Sequence, residues 1–177
     1  MTAAVAPNTA GVTPDLATFV ALAAQGGLMT GGTNGTLIPV FETLIADTET
    51  PVSIYRRLDA EAGSYLLESV EGGETWGRFS FIGCNPFQTL TAAGEHYTIV
   101  RDGVTTTGSG DPVAALQALM DAHRFVSVPG VQRFAAGAVG YFGYDTVRWV
   151  ERIPDHAAPG LPVPDAAWMF PSDMVVF

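Results

Sequence analysis

The chain has 177 residues, enough for one domain with a sizeable core. Eight basic against 18 acidic residues leave a net charge of −10, which argues against a nucleic-acid or anionic-membrane partner. No apolar run approaches the roughly 20 residues of a membrane span, and the N-terminus lacks the basic start of a secretory or transit peptide. Cys84 is the lone cysteine, so an internal disulfide and a cysteine metal cluster are excluded and the cytoplasm is the expected compartment. Charged residues make up 15%, against roughly a quarter in typical domains. That shortfall fits either a surface covered by something else or a compact apolar domain.

In chain order, residues 1–12 are small and aperiodic and read as a flexible N-terminus. Thr13-Pro14-Asp15 predicts a helix with Thr13 as N-cap, carried by Leu16, Phe19, Val20 and Ala23 and stopped by Gly26-Gly27. After a glycine- and threonine-rich loop, Thr36–Ile45 predicts a strand that Pro39 confines to an edge or bulge. Thr50-Pro51 repeats the cap-and-proline opening, and Ile54, Tyr55 and Leu58 continue a short helix with Arg56 and Arg57 on its solvated side.

The stretch Tyr65–Pro86 reads as a β-hairpin, with strand runs Tyr65–Val70 and Arg78–Ile82 joined through Gly72, Gly73 and Gly77. Side chains alternate along a strand, so Leu67 and Ser69 share one face and Leu66, Glu68 and Val70 the other. A two-residue turn at Gly72-Gly73 would set Ser69 opposite Trp76. A longer loop centred near Glu74-Thr75 would set Ser69 opposite Ser80. The polar Glu71–Glu74 segment extends neither strand, which favours the longer loop, and Ser69, Ser80 and Arg78 would then line one patch.

Phe87–Ala92, His96–Arg101 and Val104–Thr107 predict a meander, turning at Gly94 and at Asp102-Gly103. Asp111-Pro112 opens a third helix, with Val113, Leu116, Leu119, Met120 and His123 on one stripe. Phe134–Tyr144 predicts a strand with Gly137, Gly140 and Gly143 at three-residue intervals, a sign of close backbone approach and not of a dinucleotide fingerprint. Asp145 is placed to cap a short helix through Trp149 and Glu151, closed by Pro154. Pro159–Pro164 reads as a surface connection, and Met174–Phe177 ends on an apolar strand run that looks cut. The pattern gives an α+β fold, largely antiparallel strands with a few packed helices.

Familiar site chemistries are missing from the sequence. His96, His123 and His156 have no close pair for a zinc site. Ser80 is not in a nucleophile elbow, and no glycine–lysine phosphate cradle occurs. Glu68, Glu71 and Glu74 are spread across a turn that fixes no separation for acid–base work.

The sequence Leu66-Leu67-Glu68-Ser69, followed after ten residues by Ser80, resembles the tryptophan-sensing motif of anthranilate synthase component I, a chorismate-utilising family. Glu71-Gly72-Gly73, Arg78–Gly83 and Gly140–Asp145 match that family's pattern as well. The resemblance implies that residues 13–177 are the N-terminal regulatory region, truncated and incomplete without a C-terminal chorismate-binding region. The whole enzyme would convert chorismate and ammonia to anthranilate and pyruvate with Mg²⁺, the ammonia coming from a glutamine amidotransferase partner. No catalytic or metal residue of the family falls in this chain. A tryptophan site at the hairpin would involve Ser69 and Ser80 on one face, with Glu68 holding Arg78 or a neighbouring strand and Tyr141 or Tyr144 bordering the cavity. Aminodeoxychorismate synthase component I shares much of the motif and is an alternative, as is a free-standing amino-acid-binding module.

Overall fold

The computed structural model describes residues 11–25, 35–58, 63–68, 79–131, 136–154 and 161–177. Its axis is β3, Ser80–Ala93, flanked by β8, Ala166–Val176. β3 also pairs with β2 (Tyr65–Glu68) near its start and with β4 (His96–Arg101) near its end. With β5 (Val104–Ser109) and β7 (Val139–Phe142) the sheet order is β5-β4-β3-β8-β7, antiparallel at every pairing. Two short strands, β1 (Gly35–Leu37) and β6 (His123–Phe125), form a separate parallel pair. The α+β, largely antiparallel expectation therefore holds.

The predicted run ending at Ile82, from Ser80 on, and the run Phe87–Ala92 meet in one strand. What joins them is an irregularity: the register against β8 shifts between Pro86 and Gln88. Proline cannot donate to a ladder, so a strand containing one must bulge or lie at an edge. Asn85 takes a left-handed φ of 50°, and its Nδ2 donates to Asp173 Oδ2 at 2.6 Å, bracing the bulge across the strands. The meander turns are as expected. Arg101 pairs with Val104, leaving Asp102-Gly103 as a two-residue loop with φ of 50° and 77°. That pair of positive values is the hairpin turn whose twist matches its strands.

Helix starts follow side-chain chemistry. α2, Pro51–Arg57, has a reciprocal capping box: Thr50 Oγ1 accepts from Ser53 N, and Ser53 Oγ accepts from Thr50 N. Arg57 pairs with Glu49 at 2.8 Å. α3, Pro112–Asp121, is capped by Asp111, whose Oδ1 accepts from Val113 N. The stripe ends sooner than its period suggests, because His123 leaves the helix and begins β6. For α1, Leu16–Gln25, the cap is Asp15 and not Thr13: Asp15 Oδ1 accepts from Thr18 N. Thr13 is engaged elsewhere, exchanging two backbone hydrogen bonds with Phe41. That bridge and Pro39 also shorten the predicted Thr36–Ile45 strand to β1. Asp145 is likewise no cap. It lies inside the 3-10 helix Tyr144–Trp149, which Gly143 opens without a side-chain bond.

One sheet face carries the central core. Leu90 and Ala92 of β3 lie opposite Trp168 and Ala166 of β8, and all four are buried. Ala115, Leu116 and Leu119 of α3 pack on them, with Tyr97, Ile99 and Trp149. Phe142 meets Trp168 edge-on at 4.5 Å between ring centroids. Gln88 is the buried polar residue of this set, 1% exposed, with no partner for its Nε2 among the described residues. The Phe87–Ala92 run gave no sign of it.

The glycine spacing in β7 has a physical reason at Gly140. It pairs with Trp168, and a Cβ there would run into the Ala167 carbonyl and the Trp168 ring. Backbone cannot yield as a flexible side chain can. Gly140→Ala should therefore lower stability by about 1–3 kcal/mol, read as a lower urea midpoint. An unchanged midpoint would show that β7 does not hold this approach.

Candidate functional site

The hairpin carrying the motif forms, with one change of register. Glu68, and not Ser69, is opposite Ser80; Leu66 is opposite Ile82 and Tyr65 opposite Gly83. This register rules out a two-residue turn at Gly72-Gly73, and the Ser69–Ser80 pairing is not observed; residues 69–78 of the connection lie outside the described residues. A one-residue slip moves every side chain to the other face, so such a register needs a strong local cause. Tyr65 supplies it. Its ring lies over Gly83 in space that any Cβ would occupy, and the preferred register would have set it against Cys84 instead. Gly83 thus holds the tyrosine, and the tyrosine fixes the hairpin.

The backbone bonds of Ser80 define the geometry further. Its N–H donates to Phe177 O and its C=O accepts from Phe177 N, both at 2.9 Å. Both groups point to β8, so Glu68 and Ser80 form a non-hydrogen-bonded pair. In such pairs the Cα atoms approach to about 4.5 Å and the side chains are closest. The exposed Glu68 carboxylate and the half-buried Ser80 hydroxyl stand side by side, and neither has a hydrogen-bond partner among the described residues. On the other face, Leu67, Phe81 and Val176 are in register, with Phe79 6.3 Å from Phe81 between ring centroids. Leu67, Phe79 and Val176 are all more than a third exposed. A hydrogen-bonding face therefore backs onto an open apolar one.

Of the remaining predicted site residues, Ser69 and Arg78 lie outside the described residues, as does any Glu68–Arg78 contact. Tyr141 is on β7, opposite Ala167, which is itself opposite Thr91. Thr91 is eleven residues beyond Ser80 along β3, roughly 36 Å at about 3.3 Å per residue. The Tyr141 hydroxyl donates to Pro164 O at 3.0 Å. The fold brings Glu68 and Ser80 together and leaves Tyr141 remote.

Sequence reasoning missed the second layer beneath the motif. Tyr65, Gly83 and Cys84 adjoin it, and Cys84 is opposite Asp173. Burial pushes the Cys84 thiol above its ordinary value, and the Asp173 carboxylate adds to this. Burial also raises the Tyr65 phenol, with a smaller contribution from Cys84. The Tyr65 hydroxyl is buried without a partner among the described residues. A thiol held protonated is a packing residue and a poor nucleophile.

Among the described residues, no three carboxylate, imidazole or thiol groups come together to hold a metal ion. The Mg²⁺ that the family resemblance implies finds no fitting donor set among these described residues. No helix among these residues is long and apolar enough to cross a membrane.

Comparison with known proteins gives a consistent answer, the anthranilate synthases. No family model matches the chain. Anthranilate synthase component 1 of Pseudomonas putida is 42% identical over 145 residues, covering 79% of this chain and 29% of that protein. The protein of the same name from Acetivibrio thermocellus is 38% identical over 143 residues, 80% of this chain and 29% of its own length. That of Synechocystis sp. is 36% identical over 169 residues, 94% of this chain and 32% of its own length. A crystal structure of anthranilate synthase component I from Streptococcus pneumoniae matches 77% of the chain at 24% identity, with a TM-score of 0.43. The chain is homologous over most of its length to the anthranilate synthase component 1 family, and it spans about 29–32% of the length of these curated relatives.

The raised Cys84 and Tyr65 values fix the sign of an alkaline effect. Above the ordinary thiol value, about 8.5, the unfolded chain loses protons that the folded chain keeps. Stability should then fall as pH rises. Urea midpoints should drop between about pH 8 and pH 10, and Cys84→Val should flatten the drop. An identical slope in the variant would remove Cys84 from the account.

Proposed function

We propose that this chain is the tryptophan-sensing region of an anthranilate synthase component I. The whole enzyme would form anthranilate and pyruvate from chorismate and ammonia with Mg²⁺, with a glutamine amidotransferase subunit supplying the ammonia. The observation that carries the reading is the Glu68–Ser80 pair: an acceptor and a hydroxyl brought side by side at the motif. An amino-acid ligand needs a carboxylate for its ammonium, a donor for its own carboxylate, and apolar contact for its ring. Glu68 suits the first role and Ser80 the second. This assigns Glu68 to the ligand, where the sequence alone had placed it behind the site. Arg78, two residues before Ser80 on the same predicted run, joins the proposed set; Ser69, which a regular pleat would turn away from Glu68, joins it only through a bulge at the end of the run, while Tyr141 is left out because of its distance.

Inhibition would follow if tryptophan binds more tightly to a state in which the catalytic part is poorly closed, since a ligand shifts an equilibrium only by its differential affinity. Chemistry then belongs to the length of the relatives that this chain does not share. The 177-residue chain should form no anthranilate from chorismate with excess ammonia and Mg²⁺. Turnover above a no-protein control would overturn that division of labour.

The sensing role is tested in an enzyme carrying this chain as its N-terminal region. Ser69→Arg puts a long cation where a small hydroxyl is proposed to meet the ligand, and should weaken tryptophan inhibition tenfold or more, about 1.4 kcal/mol. Ser80→Ala should weaken it less, by about one hydrogen bond, 0.5–1.5 kcal/mol. Thermal melts run beside the inhibition curves separate this from a packing role, which would lower the melting temperature and the activity together. Unchanged inhibition in a well-folded Ser69→Arg enzyme would falsify the sensing role.

A further inference from the structure

Away from the hairpin, a cleft of about 430 Å³ opens between the β1–β6 pair and the β3–β8 pair. It forms where β3 is irregular: the shift between Pro86 and Gln88 presents Phe87 to it, with Phe125, Phe170 and Met120 as further walls. Phe87 lies seven residues along β3 from Ser80, roughly 20 Å at strand spacing, so this is not the proposed tryptophan site. The volume falls within the 300–1,000 Å³ of small-molecule pockets, and the lining has their composition, mostly apolar with few polar groups.

One of those polar groups is held in a fixed orientation. His123 Nδ1 lies 3.0 Å from Leu119 O. A carbonyl oxygen can only accept, so in the neutral imidazole the proton sits on Nδ1 and Nε2 is an acceptor. Phe87 stacks edge-on against the ring at 5.6 Å and 70°, and is itself 6.0 Å from Phe170. The imidazole is thus held by a carbonyl and a phenyl ring, while Nε2 has no partner among the described residues. Ser172 adds a hydroxyl. Among the described residues the lining contains no Lys, Arg, Asp or Glu, so none of them would neutralise the charges of a zwitterion or a carboxylate.

We propose that this cleft binds a neutral, planar aromatic molecule that donates one O–H or N–H hydrogen bond to His123 Nε2. The rings of Phe87, Phe125 and Phe170 take its faces and edges. With no countercharge among the described lining residues, the cleft is not assigned to a free amino acid, so the proposal is independent of the tryptophan reading and neither stands on the other.

The test titrates 2-naphthol, which donates, and 2-methoxynaphthalene, which does not, into the 177-residue chain, with binding sites mapped by NMR. The expected result is saturable one-to-one binding of 2-naphthol that shifts the Met120 methyl and the His123 ring. The methoxy compound should bind at least about threefold more weakly, the loss of one hydrogen bond. In His123→Phe, which keeps the ring contact with Phe87, the two compounds should bind alike. Absence of saturable 2-naphthol binding would overturn the proposal. Equal affinity of the two probes for the unaltered chain would overturn the acceptor role without needing any variant. Shifts confined to Tyr65–Glu68 and Ser80 would overturn the location while leaving the hairpin reading intact.

Discussion

The pairing of β3 with β8 is the constraint on which the rest depends. It runs from Phe81–Val176 to Ala92–Ala166, interrupted once at Pro86. On one side of the interruption it supports the core face that α3 covers. On the other side it supports the motif hairpin, because the two hydrogen bonds between Ser80 and Phe177 decide which groups of Ser80 remain for β2. The ladder with β8 thereby makes Glu68–Ser80 the close, non-hydrogen-bonded kind of pair. A site residue's chemistry is set here by a strand that does not itself contain the motif.

The interruption is as consequential as the pairing. Without Pro86 and the left-handed Asn85, β3 would continue as a regular strand, and Phe87 would follow the pleat. The shift instead brings Phe87 to His123 and Phe170, and with them the walls of the cleft. The same few residues link Asn85 to Asp173, and Asp173 in turn bears on Cys84. The bulge therefore separates two chemical environments on one strand.

Much of this was legible in the sequence wherever a signal is local. Thr50-Pro51 and Asp111-Pro112 mark helix starts because the capping atoms lie within three residues. Asp102-Gly103 marks a turn because few residues tolerate positive φ at both positions. The antiparallel meander followed from such turns. What could not be read depends on partners far along the chain. Thr13 had the composition of a cap, but Phe41 claims its backbone and Asp15 takes the role. The hairpin register rests on Tyr65 over Gly83, a contact that alternation alone cannot tell from its one-residue neighbour. Gln88 sits in a run that looks like any half-buried strand, and its pairing partners Arg101 and Phe170 lie on β4 and β8, further along the chain. At the site, the motif residues were visible but the pairing among them was not, and Tyr141 is separated from them by the length of β3.

The distal half of β8 has another property that follows from the Ser80–Phe177 bonds. β7 reaches only as far as Met169, so beyond that point no described strand lines the outer side of β8. Since Phe177 turns its N–H toward β3, the pleat turns the Val175 amide the same way and those of Val176 and Met174 outward. Every second amide in this segment is thus held in a ladder while its neighbour faces away from it. In deuterated solvent the amides turned toward β3 would exchange slowly, and those turned away would report whether anything covers that side of the strand.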